Sequence, residues 1–118
     1  MSDEATTVAQ LRRAIQTFVD ERDWRQFHTP KNLAMSLAIE AAELMEHFQW
    51  LDRDESIARG RDPARRGAIA DEMADVGCYL LSLANALEID LSEAVEAKLV
   101  KNAEKYPADR FRGRSELL

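Results

Sequence analysis

The chain has 118 residues, 22 acidic and 16 basic, for a formal net charge of -6, an acid excess that argues against nonspecific binding to nucleic-acid polymer, which needs Lys and Arg to neutralise phosphates. A single domain of this length buries roughly two-thirds of its unfolded surface, and its one cysteine, Cys78, leaves no disulfide to form within these residues. No apolar run approaches the ~20 residues that cross a bilayer, and the start, with Asp3 and Glu4, lacks the basic and apolar regions of a secretory signal, so a cytoplasmic protein without membrane contact is expected.

Four Gly, three Pro and few β-branched runs point to one all-α domain over 1–118, without repeats or linkers. The first helix is expected over 7–21, with Val8, Leu11, Ile15, Phe18 and Val19 at helical spacing. A polar and aromatic connector follows over 23–28. Thr29 then has N-cap character and Pro30 suits a first helical position, opening a second helix over 30–51. Its stripe is Leu33, Leu37, Leu44, Phe48 and Leu51, and its apolar run over 33–45 suggests a central helix buried on most sides. The stretch 52–67 reads as a polar connecting loop, with a short helical turn over 54–58. Asp62 and Pro63 can open a third helix that reaches 87, its start placed either there or after Gly67. Its core stripe would be Ile69, Met73, Val76, Leu80, Leu83 and Leu87. Asp90 and Glu93 have capping-box spacing for a fourth helix ending near Tyr106, before Pro107. The ends, 1–6 and 108–118, are expected to be loosely held tails.

Two carboxylate doublets stand out on these helices. Glu40 and Glu43 lie three apart on the second, and Glu72 and Asp75 three apart on the third, so each doublet projects from one face. Glu40 falls inside an apolar stripe, where a charge is costly unless paired or bound to metal. Facing doublets would raise one another's pKa unless a cation sat between them. Solvated helix faces are the alternative, since among 22 acidic residues some such pairs arise by chance. All-oxygen donors suit Mg, Mn or Ca; a di-iron bundle would need Glu-x-x-His pairs, and the positions three after Glu43 and Glu72 are Glu46 and Asp75. Mg completed by substrate phosphates fits best.

Trp50 and Tyr79 are placed near the carboxylates by helical angle, where planar rings could stack on a base. Lys98, Asn102 and Lys105 line one side of the fourth helix at i, i+4 and i+7, as donors for phosphate oxygens. No Walker-type glycine loop and no Ser-His-Asp or Cys-His arrangement is present.

Glu40-x-x-Glu43 followed by Glu72-x-x-Asp75 resembles the signature of the all-α nucleoside triphosphate pyrophosphohydrolases, the MazG-like superfamily. Glu21-Arg22-Asp23-Trp24, Gln26-Phe27-His28, Asn32-Leu33, Phe48-Gln49-Trp50, Asp75-Val76 with Tyr79, and Lys98, Asn102 and Tyr106-Pro107 resemble its dCTP pyrophosphatase branch. The resemblance implies a four-helix bundle-like MazG-type fold assembled as a homotetramer or homodimer. It implies Mg, with Mn as a substitute, held by Glu40, Glu43, Glu72 and Asp75, and Glu40 or Glu43 as general base. It further implies a pyrimidine pocket from Trp24, Gln26, Phe27, His28, Trp50 and Tyr79, with triphosphate contacts from Lys98, Asn102 and Lys105. The substrate would be dCTP, a modified dCTP or another noncanonical nucleoside triphosphate, cleaved to a monophosphate and pyrophosphate. Ile15 stands where the animal dCTP enzymes carry a His and offers no polar contact. A dUTP-directed or broad enzyme of the same superfamily and a non-catalytic acidic interaction module are the alternatives.

Overall fold

A computed structural model describes residues 1–114; the last four residues of the expected tail over 108–118 lie outside the described residues. All regular structure described is helical. The elements are α1 (Val8–Glu21), a 3-10 turn (Arg25–Phe27), α2 (Pro30–Glu46), α3 (Arg53–Arg61), α4 (Pro63–Leu87), α5 (Leu91–Lys105) and the short α6 (Ala108–Phe111). They form two compact units, Met1–Glu88 and the part from Ile89 onward.

Local chemistry sets most boundaries. Thr7 and Gln10 form a reciprocal capping box on α1, with Gln10 N donating to Thr7 Oγ1 at 3.1 Å and Thr7 N donating to Gln10 Oε1 at 2.7 Å. Thr29 Oγ1 accepts from Asn32 N at 3.2 Å, with Pro30 opening α2. Asp90 Oδ1 caps α5 by accepting from Glu93 N at 2.9 Å.

Two expectations are corrected. The second helix stops at Glu46, not at 51: the next amides shift to closer carbonyls, Phe48 N to Met45 O and Leu51 N to Phe48 O, giving a tight turn. Residues 52–67 are helical on either side of one junction residue. Asp52 and Glu55 make a second reciprocal capping box, with Asp54 and Glu55 in the first turn of α3 and Arg59 and Arg61 in the last, charges that complement the helix dipole. Asp62 ends α3 and its Oδ1 accepts from Ala64 N at 2.9 Å, so α4 starts at Pro63 and runs through Gly67. The polar composition of α3 hid a helix built on caps instead of an apolar stripe.

In the first unit α4 is the hub, with α1, α2 and α3 each packed against it and α2 making the most extensive contact. Leu33 is fully enclosed, and Val19, Ile69 and Ala84 are buried. From Leu81 to Asn85 every residue of α4 is buried or half-buried, because neighbours cover it on more than one side. There Arg12 Nε donates to Asn85 Oδ1 at 2.8 Å and Asn85 Nδ2 donates to the Arg12 carbonyl at 3.1 Å, tying α1 to α4. The expected α4 stripe is therefore only partly inward: Ile69, Val76 and Leu83 are covered, whereas Met73, Leu80 and Leu87 are exposed. On α2, too, Met35, Ile39 and Met45 are 53%, 57% and 54% exposed in the single chain, contrary to a helix buried on most sides.

In the second unit Tyr106 and Phe111 meet edge to face with centroids 5.4 Å apart, and Tyr106 N donates to Asn102 O at 2.7 Å. The tail expected over 108–118 thus begins with the single turn of α6.

Glu88 closes α4 in the left-handed region, φ 54°, where a Cβ crowds the following carbonyl. Glu88→Gly should stabilise the protein by about 1 kcal/mol in denaturant unfolding. A lower midpoint in the variant would show that this side chain, and not the backbone angle, governs the junction.

Candidate functional site

The pairing of α2 with α4 brings Glu40 and Glu43 to Glu72. One carboxylate oxygen from each of the three lies within 4.8 Å of the others. Glu40 and Glu72 are half-buried and Glu43 is exposed. The Oε2 atoms of Glu40 and Glu72 are buried and, among the described residues, have no hydrogen-bond partner. Withdrawal from water, then Glu43 beside it, then the charge of Asp75, push Glu40 up to about 7. Glu72 is also raised, mainly by loss of water and further by the charges of Glu43 and Asp75. Asp75, one turn along α4 from Glu72, is exposed and is not one of this group of three, though its charge bears on Glu40 and Glu72. Buried carboxylate oxygens with no donor, in an all-oxygen set carrying excess negative charge, fit a hard divalent cation.

Asp75 also borders a cavity of about 410 Å³. Its walls are Ala14, Ile15, Phe18 and Val19 of α1, Trp24 and His28 of the connector, and Asp75, Cys78, Tyr79 and Ser82 of α4. The four α4 positions form one stripe, at i, i+3, i+4 and i+7. The connector is held in place by short-range bonds. Asp23 takes the left-handed region at φ 52°, a conformation Asp tolerates, and Trp24 N donates to Val19 O at 3.1 Å. The Arg25 guanidinium is bidentate on Asp20, Nε to Oδ1 at 3.1 Å and Nη2 to Oδ2 at 3.0 Å. Gln16 first, and Arg25 with it, hold the Asp20 carboxyl below the usual range. Asn32 Nδ2 donates to the Phe27 carbonyl at 3.0 Å. Phe18 and Trp24 pack edge to face, centroids 5.8 Å apart, so the cavity wall is itself an aromatic pair.

Of the expected base pocket, then, Trp24, His28 and Tyr79 share one cavity with the carboxylate end. Gln26 and Phe27 are not among its lining residues: Gln26 Nε2 turns back to the Asp23 carbonyl at 3.0 Å, and Phe27 is exposed. Trp50 is 87% exposed on the turn after α2, so its expected place on the helix beside Glu43 does not hold. Lys98, Asn102 and Lys105 belong to the second unit, along one side of α5; Lys105 Nζ lies 5.3 Å from the Tyr106 ring centre. Sequence reasoning missed Cys78 and Ser82 as cavity residues. Their spacing from Asp75 carried the signal, but neither falls on the apolar stripe. Phe18 and Val19, read as core, line the cavity as well.

Comparison with known proteins agrees with the helical fold. Residues 35–116 match the model of the MazG-like family. The chain is 40% identical over 107 residues to dCTP pyrophosphatase 1 of Mus musculus, covering 91% of this chain and 63% of that protein. It is 41% identical over 109 residues to dCTP pyrophosphatase 1 of Homo sapiens, covering 92% and 64%. The chain therefore spans a little under two-thirds of the length of these curated relatives. The crystal structure of a pyrophosphatase from Archaeoglobus fulgidus superposes with a TM-score of 0.81 at 42% identity, covering 91% of this chain and 98% of that one. From its carboxylate pattern, its helical frame and these matches, the chain belongs to the MazG-like family.

Proposed function

We propose that the chain is a Mg-dependent nucleotide pyrophosphohydrolase, acting in the cytoplasm on dCTP-like or other noncanonical nucleoside triphosphates and cleaving between the α and β phosphates to give a monophosphate and pyrophosphate. The observation that carries this reading is the double position of Asp75. Its charge bears on Glu40 and Glu72, and its side borders the aromatic-walled cavity, so a cation-binding end and a ring-binding end are continuous. The names of the relatives, dCTP pyrophosphatase 1 and a pyrophosphatase, support the same reaction.

Glu40, Glu43, Glu72 and Asp75 would hold Mg, or Mn in its place. When bound, such a cation neutralises phosphate charge and lowers the pKa of a bound water. Glu40 or Glu43 accepts the proton of the attacking water; the two are neighbours within the cluster. Trp24 and Tyr79 offer ring surface to the base, with His28 beside them. The roles proposed for Gln26, Phe27 and Trp50 are outer contacts to the nucleotide, and for Lys98, Asn102 and Lys105 contacts to the triphosphate. A second copy of the chain is the proposed cover for Met35, Ile39 and Met45, in a homodimer or homotetramer; large apolar side chains left this open on one helix support such a contact.

Three outcomes are expected. A panel of deoxynucleoside triphosphates, standard and base-modified, should release pyrophosphate in the presence of Mg; no release from any member would sink the enzyme reading and leave an acidic interaction module. Glu40→Gln should reduce turnover at least 100-fold while the circular dichroism spectrum stays helical; full activity would remove Glu40 from the site. The third concerns pH in chelator. Glu40 has a folded pKa of about 7 against 4.5 when unfolded, so the native state binds more protons and stability falls as pH rises between these values. The wild-type melting temperature should therefore drop from pH 5 to pH 8, Mg should restore it at pH 8, and Glu40→Gln should flatten both responses. A melting temperature that rises across this range would contradict the carboxylate repulsion.

A further inference from the structure

We infer that Ser82 is a specificity-determining residue of the cavity, hydrogen-bonding the edge of a nucleobase farthest from its sugar; this rests on the nucleotide reading above. Ser82 is only 7% exposed, yet it lines the cavity, and among the described residues its hydroxyl has no hydrogen-bond partner. A serine inside a helix often bonds back to the carbonyl four residues earlier; this one does not, and its Oγ, unlike Oε2 of Glu40 and of Glu72, is not enclosed, so the hydroxyl opens to the cavity. Ser82 lies two turns past Asp75 on α4, about 10 Å along the axis at 1.5 Å per residue. With phosphates drawn to the carboxylate end at Asp75, the base extends towards Ser82.

Trp24, His28, Cys78 and Tyr79 also bring polar atoms to the cavity, and Ser82 is the α4 residue two turns from Asp75. Ile15 and Phe18 offer only apolar surface. Ser82 and His28 also border a second recess, of about 310 Å³, in which three polar groups are already engaged: Gln16 and Arg25 bond Asp20, and Asn85 bonds Arg12. A hydroxyl both donates and accepts, so it satisfies a ring amino group or a ring oxo group equally well. The favoured substrates are accordingly triphosphates whose distal base edge carries either group. A base with hydrogen there leaves the hydroxyl buried and unpaired and is disfavoured.

The test uses the full chain with Mg and two substrate pairs: dCTP against 2-pyrimidinone deoxyriboside triphosphate, and dATP against purine deoxyriboside triphosphate, each second member lacking the ring amino group. For the pair that wild type cleaves faster, Ser82→Ala should lower kcat/KM on the amino-bearing nucleotide tenfold to a hundredfold, chiefly through KM, and change the analogue by less than about twofold. Ser82→Thr, which keeps the hydroxyl, should retain the preference of wild type. Equal losses on both members would mark a packing role, and no loss on the amino-bearing member would mark an idle hydroxyl; either result overturns the assignment while the nucleotide reading stands. If wild type cleaves none of these nor any other nucleoside triphosphate, that reading fails and the role of Ser82 fails with it.

Discussion

Two carboxylate oxygens, Oε2 of Glu40 and Oε2 of Glu72, are shut between α2 and α4 without a donor to answer them. The contact between these helices is the most extensive in the first unit, and at one place it closes over like charges. Apolar packing elsewhere, at Leu33 and Ile69, holds the helices together, while repulsion at the cluster pushes them apart. Loss of water and the same repulsion favour the protonated form of Glu40. A divalent ion held there, as proposed, would stabilise the fold, because it would bind what the unfolded chain cannot assemble.

Much of this could be read from residue order, for reasons that vary from place to place. Thr29-Pro30 and Asp62-Pro63 gave true helix starts because capping depends on adjacent atoms alone. The carboxylate doublets were visible because spacing of three on a helix survives any tertiary arrangement, and Glu40 was conspicuous as a charge in an apolar stripe. Helix α3 was missed since its stabilising elements, a capping box and end charges, look like loop composition. The end of α2 was missed because no Gly or Pro marks it; the chain leaves the helix to let Asp52 cap the next one. That misplacement carried Trp50 with it, as an angle computed on a helix has no meaning beyond the helix. Ser82 lay off the apolar stripe of α4, and its place in the cavity depends on the cover provided by α1 and the connector.

The cavity depends on a short connector whose geometry is over-determined. Asp23 in its left-handed conformation, the Arg25–Asp20 pair and the Asn32–Phe27 bond fix the chain on either side of Trp24 and His28. Exposed ion pairs of this kind add little to global stability. Their effect is positional: two side chains are presented to the cavity with little freedom to withdraw. Preorganisation of this sort favours discrimination between ligands more than strength of binding.

Asp62 has a bearing on how this chain can change over evolutionary time. One residue is both the C-cap of α3 and the N-cap of α4, with its backbone at φ -70° and ψ 116° and its side chain already committed to Ala64 N. There is no slack in such a junction. Inserting or deleting a residue there would redirect α3 relative to α4, displacing Arg59 from the His47 carbonyl that it reaches at 3.1 Å. Length variation among related sequences should therefore gather at the chain ends and at the turn after α2, and leave this joint unchanged.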